Sequence, residues 1–172
     1  MDRSDRDFDE FAASAWPRLR WSAYLLCGDH HLAEDLAQTA LARTYSRWRH
    51  VRREDALAYS RKVLVNLNLD RVRRKRPVEV GDLVADRPSP DRGPGGAADD
   101  RDEIVRMLAG LTPRERQVVV LRHYFDLSEA TVAAELGLAP GTVKSTLSRA
   151  LAKLRVTAAE SEAAPVSAGG TS

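Results

Sequence analysis

Four polar residues gather on one side of a predicted helix near the end of the chain: Lys144, Ser145, Ser148 and Arg149. Long cations and short hydroxyls at a helix start suit contact with DNA. Arg and Lys reach guanine edges or phosphates, and Ser meets either. Thr142 adds a hydroxyl beside a helix N-terminus, where a phosphate is favoured. A second set lies mid-chain. Arg61 and Lys62 lead into Arg71, Arg73, Arg74, Lys75 and Arg76, with Asp70 the only acid between Arg61 and Arg76. Such a run attracts a phosphate backbone with an affinity that falls steeply with salt. Asn66 and Asn68 stand among Leu64, Val65, Leu67 and Leu69. An Asn there either hydrogen-bonds a base edge or serves as a core or capping residue. Trp48 and Tyr59 flank the segment, either to stack on unpaired bases or to fill a core.

Other chemistries find less support. His30, His31, Glu34, Asp35 and Cys27 are close in sequence, but their spacing matches no standard zinc pattern. Gly93, Gly95 and Gly96 are not followed by the Lys-Ser/Thr pair of a phosphate loop. No catalytic residue, metal site or cofactor is expected.

The elements that carry these residues read as helices throughout, since no stretch alternates with period two. Phe8, Phe11, Ala12, Ala15 and Leu19 share a face of a first helix, which Pro17 should kink or divide. Gly28 and Asp29 read as a stop and an N-cap. His30 to Trp48 forms a second amphipathic helix, and about Asp55 to Arg74 a third. Residues 77–101 hold four prolines and four glycines among five aspartates. That composition cannot bury enough apolar surface to offset chain entropy, so an acidic flexible linker is expected. In the second domain Ile104, Met107 and Leu108 form a short helix. Thr112, Pro113 and Glu115 spell a capping box with Pro at the first position. Ser128 to Arg155 then reads as helix, tight turn, helix. Gly137 supplies a permissive backbone, Ala133 a close crossing, and Val143, Leu147, Ala150, Leu151 and Leu154 a buried stripe. Taken alone, this is a DNA-binding hairpin or a plain helical one with a solvated polar face.

Bulk properties agree with two small helical cores. The chain has 172 residues, 43% hydrophobic and only 6% aromatic, so its cores are mostly Leu, Val and Ala. The net charge of +2 hides the basic run because the linker is acidic. One cysteine rules out an intramolecular disulfide and suits a reducing cytoplasm. The acidic start lacks an apolar signal core, and no apolar run approaches the ~20 residues that span a bilayer.

Two helical domains with DNA-suited surfaces, joined by a linker, resemble a family. AEDLAQTALARTYSRW (33–48) resembles sigma region 2.2, which docks on the clamp helices of the RNA polymerase β′ subunit. AYSRKVLVNLNLDRVRRKR (58–76) is similar to regions 2.3 and 2.4, which melt and read the −10 element. LTPRERQVVVLRHYFDLSEATVAAELGLAPGTVKSTLSRALAKLR (111–155) is similar to region 4, which binds the −35 element and the β flap. WPRLRWSAYLLCGD (16–29) resembles the actinobacterial SigE-like branch. With no further N-terminal region and no separate region 3, the chain resembles the minimal extracytoplasmic-function (ECF) class of sigma-70 factors.

The resemblance implies an all-α fold: region 2 over residues 5–76, the acidic linker over 77–101, region 4 with its helix-turn-helix over 102–157, and a disordered tail over 158–172. It implies a non-enzymatic cytoplasmic bacterial protein that binds core RNA polymerase and promoter DNA and directs transcription initiation. The alternative is a stand-alone helix-turn-helix regulator, which would usually dimerise on a palindrome. By resemblance, Thr142, Lys144, Ser145, Ser148, Arg149 and Lys153 contact the −35 element. Arg61, Lys62, Asn66, Asp70, Arg71, Arg73 and Arg74 contact the −10 element. Arg49 to Asp55 forms the loop that pockets a flipped base. Ala33, Glu34, Asp35, Leu36 and Gln38 meet the polymerase. Thr146 stands where the family often has Arg, which puts one phosphate contact in doubt, and Leu151 replaces a frequently polar position. The linker would thread toward the RNA exit channel and mimic nascent RNA. An anti-sigma factor is a further expected type of partner, one that covers the docking and DNA-reading faces; the sequence does not name it.

Overall fold

The computed structural model describes residues 3–75 and 97–163. All its regular elements are helical: α1 (Arg3–Cys27), α2 (His30–Ser46), α3 (Ala56–Arg74), α4 (Ala97–Ala109), α5 (Pro113–Val119), α6 (Glu129–Leu136) and α7 (Pro140–Ala163). Two short 3-10 turns, Trp48–His50 and Arg53–Asp55, join α2 to α3. The linker expected over 77–101 lies outside the described residues up to 96, and from Ala97 the chain is already helical. Residues 164–172 of the expected tail are likewise outside them.

α1, α2 and α3 pack as one unit around Leu19, Ala23, Ala33, Ala37, Ala40 and Leu64, each 0% exposed. Burying a Leu side chain contributes roughly 1.5–3 kcal/mol. The small alanines of α2 let its neighbours approach closely. Asp29 caps α2 by accepting from the Leu32 N–H at 2.9 Å, as its position predicts. Between α2 and α3 the buried hydroxyls of Thr44 and Ser60 share a hydrogen bond of 2.8 Å, and each also bonds a carbonyl of its own helix. That pair fixes the register of α3 and hence the direction of its basic face. Pro17 does not divide α1. Pro17 and Ala13, whose carbonyl loses its helical donor, are both exposed, so water takes the missing partner's place.

α4 to α7 pack around Leu111, Val118, Leu121, Val132, Val143 and Ala150. The capping box forms: Thr112 Oγ1 accepts from the Glu115 N–H at 3.2 Å, and the Glu115 carboxylate accepts from the Thr112 N–H at 2.9 Å. α5 then widens into a π-helical turn, Val120–Tyr124, closed by the Phe125 N–H bonding the Val120 carbonyl at 3.2 Å. Asp126 follows with φ 54°, a left-handed conformation that Asp tolerates. Ser128 caps α6 as expected. α7 runs to Ala163, six residues beyond the expected end at Thr157, because Ala and Glu dominate that stretch and favour helix.

Gly137 ends α6 with φ 65°, its N–H bonding the Ala133 carbonyl. A Cβ there meets nothing within 4 Å. Gly137→Ala therefore adds backbone strain and no clash. An equilibrium unfolding titration is expected to show a loss of about 1–2 kcal/mol.

The two units are not separate in this arrangement. α1 packs against α4, α5 and the π turn, and α3 against α5, so the buried apolar residues form one continuous cluster.

Candidate nucleic-acid interface

The helix-turn-helix presents a clean polar face. Val143 and Ala150 are fully buried, with Leu147, Leu151 and Leu154 half-buried beside them, so the remaining side of α7 turns outward. Thr142, Lys144, Ser145, Ser148 and Arg149 are all exposed there. Lys144 and Ser148 line a shallow cleft with Arg155 and Glu129. Arg149 makes only a long contact, 3.4 Å from Nη2 to Thr146 Oγ1. Thr146 itself is 3% exposed, so this position packs inward and offers no surface for a phosphate.

Lys153 differs from the other five. Its ammonium lies 3.0 and 2.9 Å from the Glu115 carboxylate oxygens, tying α7 to the cap of α5. Burial pushes the Glu115 carboxyl up, but hydrogen bonds from Lys153 and Thr112 outweigh it and leave the group below the ordinary carboxylate value. A carboxyl depressed in this way stabilises the fold at neutral pH, and the contribution is lost as pH falls through the folded-state value.

On α3 the helical period divides the basic residues. Lys62, Asn66, Asp70, Arg73 and Arg74 are exposed, while Leu64, Val65 and Asn68 turn inward. The two asparagines thus separate: Asn66 is free to reach a base, and Asn68 is a core residue at 1% exposure. Arg73 lies 4.0 Å from Asp70 on an exposed surface, a weak pair. Arg71 is half-buried, and Arg61 is only 7% exposed. Trp48 is core as well, stacked on Phe11 at 5.2 Å between centroids and edge-on to Phe8 at 5.1 Å. These rings anchor the 49–55 connection, whose own residues from Arg52 to Asp55 are exposed.

On α2, Asp35 and Gln38 are exposed and Glu34 is half-buried, 3.3 Å from Arg20. Ala33 and Leu36, expected at the polymerase contact, are 0% and 7% exposed. They pack the core and present their neighbours to a partner; they are not themselves available to one. His30 stacks on Tyr24 at 3.8 Å, and the Cys27 thiol donates to the Asp29 carbonyl at 3.3 Å. Burial pushes that thiol above its ordinary pKa. No group of three or more His, Cys, Asp or Glu residues among those described is arranged to hold a metal. No helix among them is long and apolar enough to cross a membrane.

Three residues at the meeting of the two units make contacts across it that the sequence did not signal. Arg116 is 5% exposed and donates to three carbonyls, those of Leu108 (3.0 Å), Leu111 (3.2 Å) and, across the seam, Leu26 (2.9 Å). Glu135 on α6 forms an ion pair with Arg61. Phe125 sits 5.2 Å beneath both the Arg61 and the Arg18 guanidinium.

A helical unit with a basic, Asn-bearing helix and a helix-turn-helix unit define an all-helical protein with two outward faces suited to DNA. Family comparison agrees with both parts: the sigma-70 region 2 model matches residues 13–78 and the sigma-70 region 4 model residues 101–154. The chain is 42% identical to the RNA polymerase sigma-E factor of Streptomyces coelicolor over 153 residues, 87% of this chain and 84% of that one. It is 34% identical to the ECF RNA polymerase sigma factor SigL of Mycobacterium tuberculosis, covering 89% of this chain and 87% of that one. The fold is similar to that of the sigma factor RpoE of Bartonella quintana, solved in complex with the anti-sigma factor NepR, with a TM-score of 0.65, 23% identity, and 87% of this chain and 95% of that chain covered. The chain belongs to the ECF sigma factors of the sigma-70 family, in the actinobacterial branch that holds the SigE and SigL proteins. It is a transcription initiation subunit of RNA polymerase and not an enzyme.

Proposed function

We propose that α3 and α7 divide promoter recognition between them. Lys62, Asn66, Arg73 and Arg74, with Asp70 among them, face the −10 element. Thr142, Lys144, Ser145, Ser148 and Arg149 face the −35 element, with Lys153 holding α7 in place and joining the DNA surface from its edge. Arg61 and Arg71 reach DNA only from a rearranged seam. Glu34, Asp35 and Gln38 on α2 dock on the β′ clamp helices, and the α4–α7 unit meets the β flap. An anti-sigma factor in the cytoplasm restrains the protein by covering these faces; that the similarly folded RpoE of Bartonella quintana was solved with the anti-sigma factor NepR supports a partner of this kind.

The observation that carries this reading is the pairing, in one chain, of two outward polar helix faces whose opposite sides are locked into cores. The contacts that Arg73, Arg74, Ser145 and Arg149 make within their own helices are exposed or long, so they compete weakly with DNA. Transcription in vitro with core polymerase tests it. Promoter-specific transcripts are expected from promoters of the source genome, and alanine at Asn66 is expected to reduce open-complex formation more than closed-complex binding. No specific transcript from any candidate promoter, or failure to co-purify with core polymerase, would leave the stand-alone regulator as the better account.

A further inference from the structure

The seam between the two units holds charges that DNA binding would want elsewhere. Arg61 stands one residue from the exposed Lys62, yet its guanidinium is turned inward. It is paired with Glu135 on the first helix of the helix-turn-helix, the two side chains being 8% and 13% exposed. The same guanidinium covers the face of Phe125, which Arg18 of α1 covers as well. Phe125 thus belongs to the second unit but is gripped by two cations of the first. Cations over an aromatic face attract it through the ring quadrupole, more so when desolvated. Arg116 adds the Leu26 carbonyl to this seam.

We propose that this arrangement is a closed, self-restrained state, in which Glu135 stands in for a DNA phosphate at Arg61 and holds the two DNA-binding units together. This rests on the proposal that α3 faces promoter DNA. The closed state is built to open. Arg61 Nε and Glu135 Oε2 are both buried with no hydrogen-bond partner among the described residues. A buried ion pair left half-satisfied returns little of its desolvation cost. Across the same seam Arg114 keeps a buried, unpartnered Nη1. Desolvation, and then the charge of Arg73 on α3, disfavour its ionised form. The seam therefore combines one attractive charge pair with a like-charge approach. When it parts, Arg61 is released beside Lys62, and a phosphate takes the place of Glu135. DNA and closure then compete for one guanidinium, and the apparent DNA affinity of the free factor is reduced by the fraction that is closed.

The test uses the full chain with spin labels at Thr39→Cys on α2 and Ala130→Cys on α6, both exposed positions, in a Cys27→Ala background. Without DNA or polymerase, the parent chain is expected to give one narrow, short distance. Glu135→Gln is expected to broaden and lengthen it. The exchanged pair Arg61→Glu with Glu135→Arg is expected to restore the short distance, which also shows that the variants fold. Glu160→Gln removes the same charge from an exposed position of the second unit without touching Arg61 or the DNA-facing cleft and is expected to change nothing. Binding of a mixed-sequence DNA duplex is then expected to tighten about threefold or more in Glu135→Gln relative to Glu160→Gln. A parent distribution already as broad as that of Glu135→Gln, or an exchanged pair that stays open, overturns the closed state. Opening in Glu135→Gln without any gain in DNA binding supports the latch and counts against α3 as a DNA-facing helix.

Discussion

Arg116→Ala is expected to be the most destabilising single substitution at the seam, with a loss of about 3–5 kcal/mol in equilibrium urea unfolding. The size follows from its three acceptors. Leu26 lies in the last turn of α1, where carbonyls have no helical donor of their own; Leu108 lies in the last turn of α4, and its carbonyl also accepts from the Leu111 N–H at 3.0 Å. Leu111 lies in the turn before α5. A single guanidinium satisfies all three and places its positive charge at the negative ends of two helices. Alanine takes this donor from the Leu26 and Leu111 carbonyls, leaves Leu108 with only the Leu111 N–H, and opens a void of the size of the lost side chain. Lysine keeps the charge but not the planar fork, so it can serve fewer of the acceptors at once. Arg116→Lys is expected to fall between the parent and the alanine variant. A loss below about 1 kcal/mol for alanine would mean that water already serves these carbonyls in solution.

Arg149→Ala is expected to weaken binding to a −35 duplex by roughly 5- to 150-fold, the equivalent of about 1–3 kcal/mol for one bidentate base contact. The side chain is exposed, lies on the outward face of the first turns of α7, and holds only the long contact to Thr146. Little intramolecular interaction must be given up before it reaches DNA. The measurement is a competition between the promoter duplex and a duplex with the −35 bases scrambled. Loss on the promoter duplex alone identifies a base contact. Equal loss on both identifies a phosphate contact, and the slope of affinity against salt then falls by about one. No loss on either removes Arg149 from the interface.

Much of this architecture was legible in the sequence because its signals are local. Asp29, Thr112 with Glu115, Ser128 and Gly137 each mark a helix end through a hydrogen bond or a backbone angle spanning three or four residues, and each forms as expected. The exposed set on α7 follows from the 3.6-residue period once Val143 and Ala150 face inward. On α3 the same period separates Asn66 from Asn68, but the sequence alone left both open, since each sits among apolar residues. What stayed hidden was long-range. Arg61 was grouped with the other cations of its run by adjacency, and only the arrival of Glu135, 74 positions away, turns it inward. Arg116 reads as one more helix arginine until the carbonyl of Leu26, 90 positions away, is brought to it. That Pro17 leaves α1 undivided and that α7 runs past Thr157 have another cause. A breaker on a solvated side costs less than its propensity implies, and an Ala-rich end needs no stop signal to continue.

The Arg61–Glu135 contact also bears on how such a factor can diverge. Glu135 belongs to neither of the outward faces, on α3 and on α7, that are assigned to DNA. A change at this one site resets the resting population of the free protein without altering which sequence it prefers. Basal output and target choice can therefore drift independently, and a duplicated copy can become quieter or leakier before it acquires new promoters.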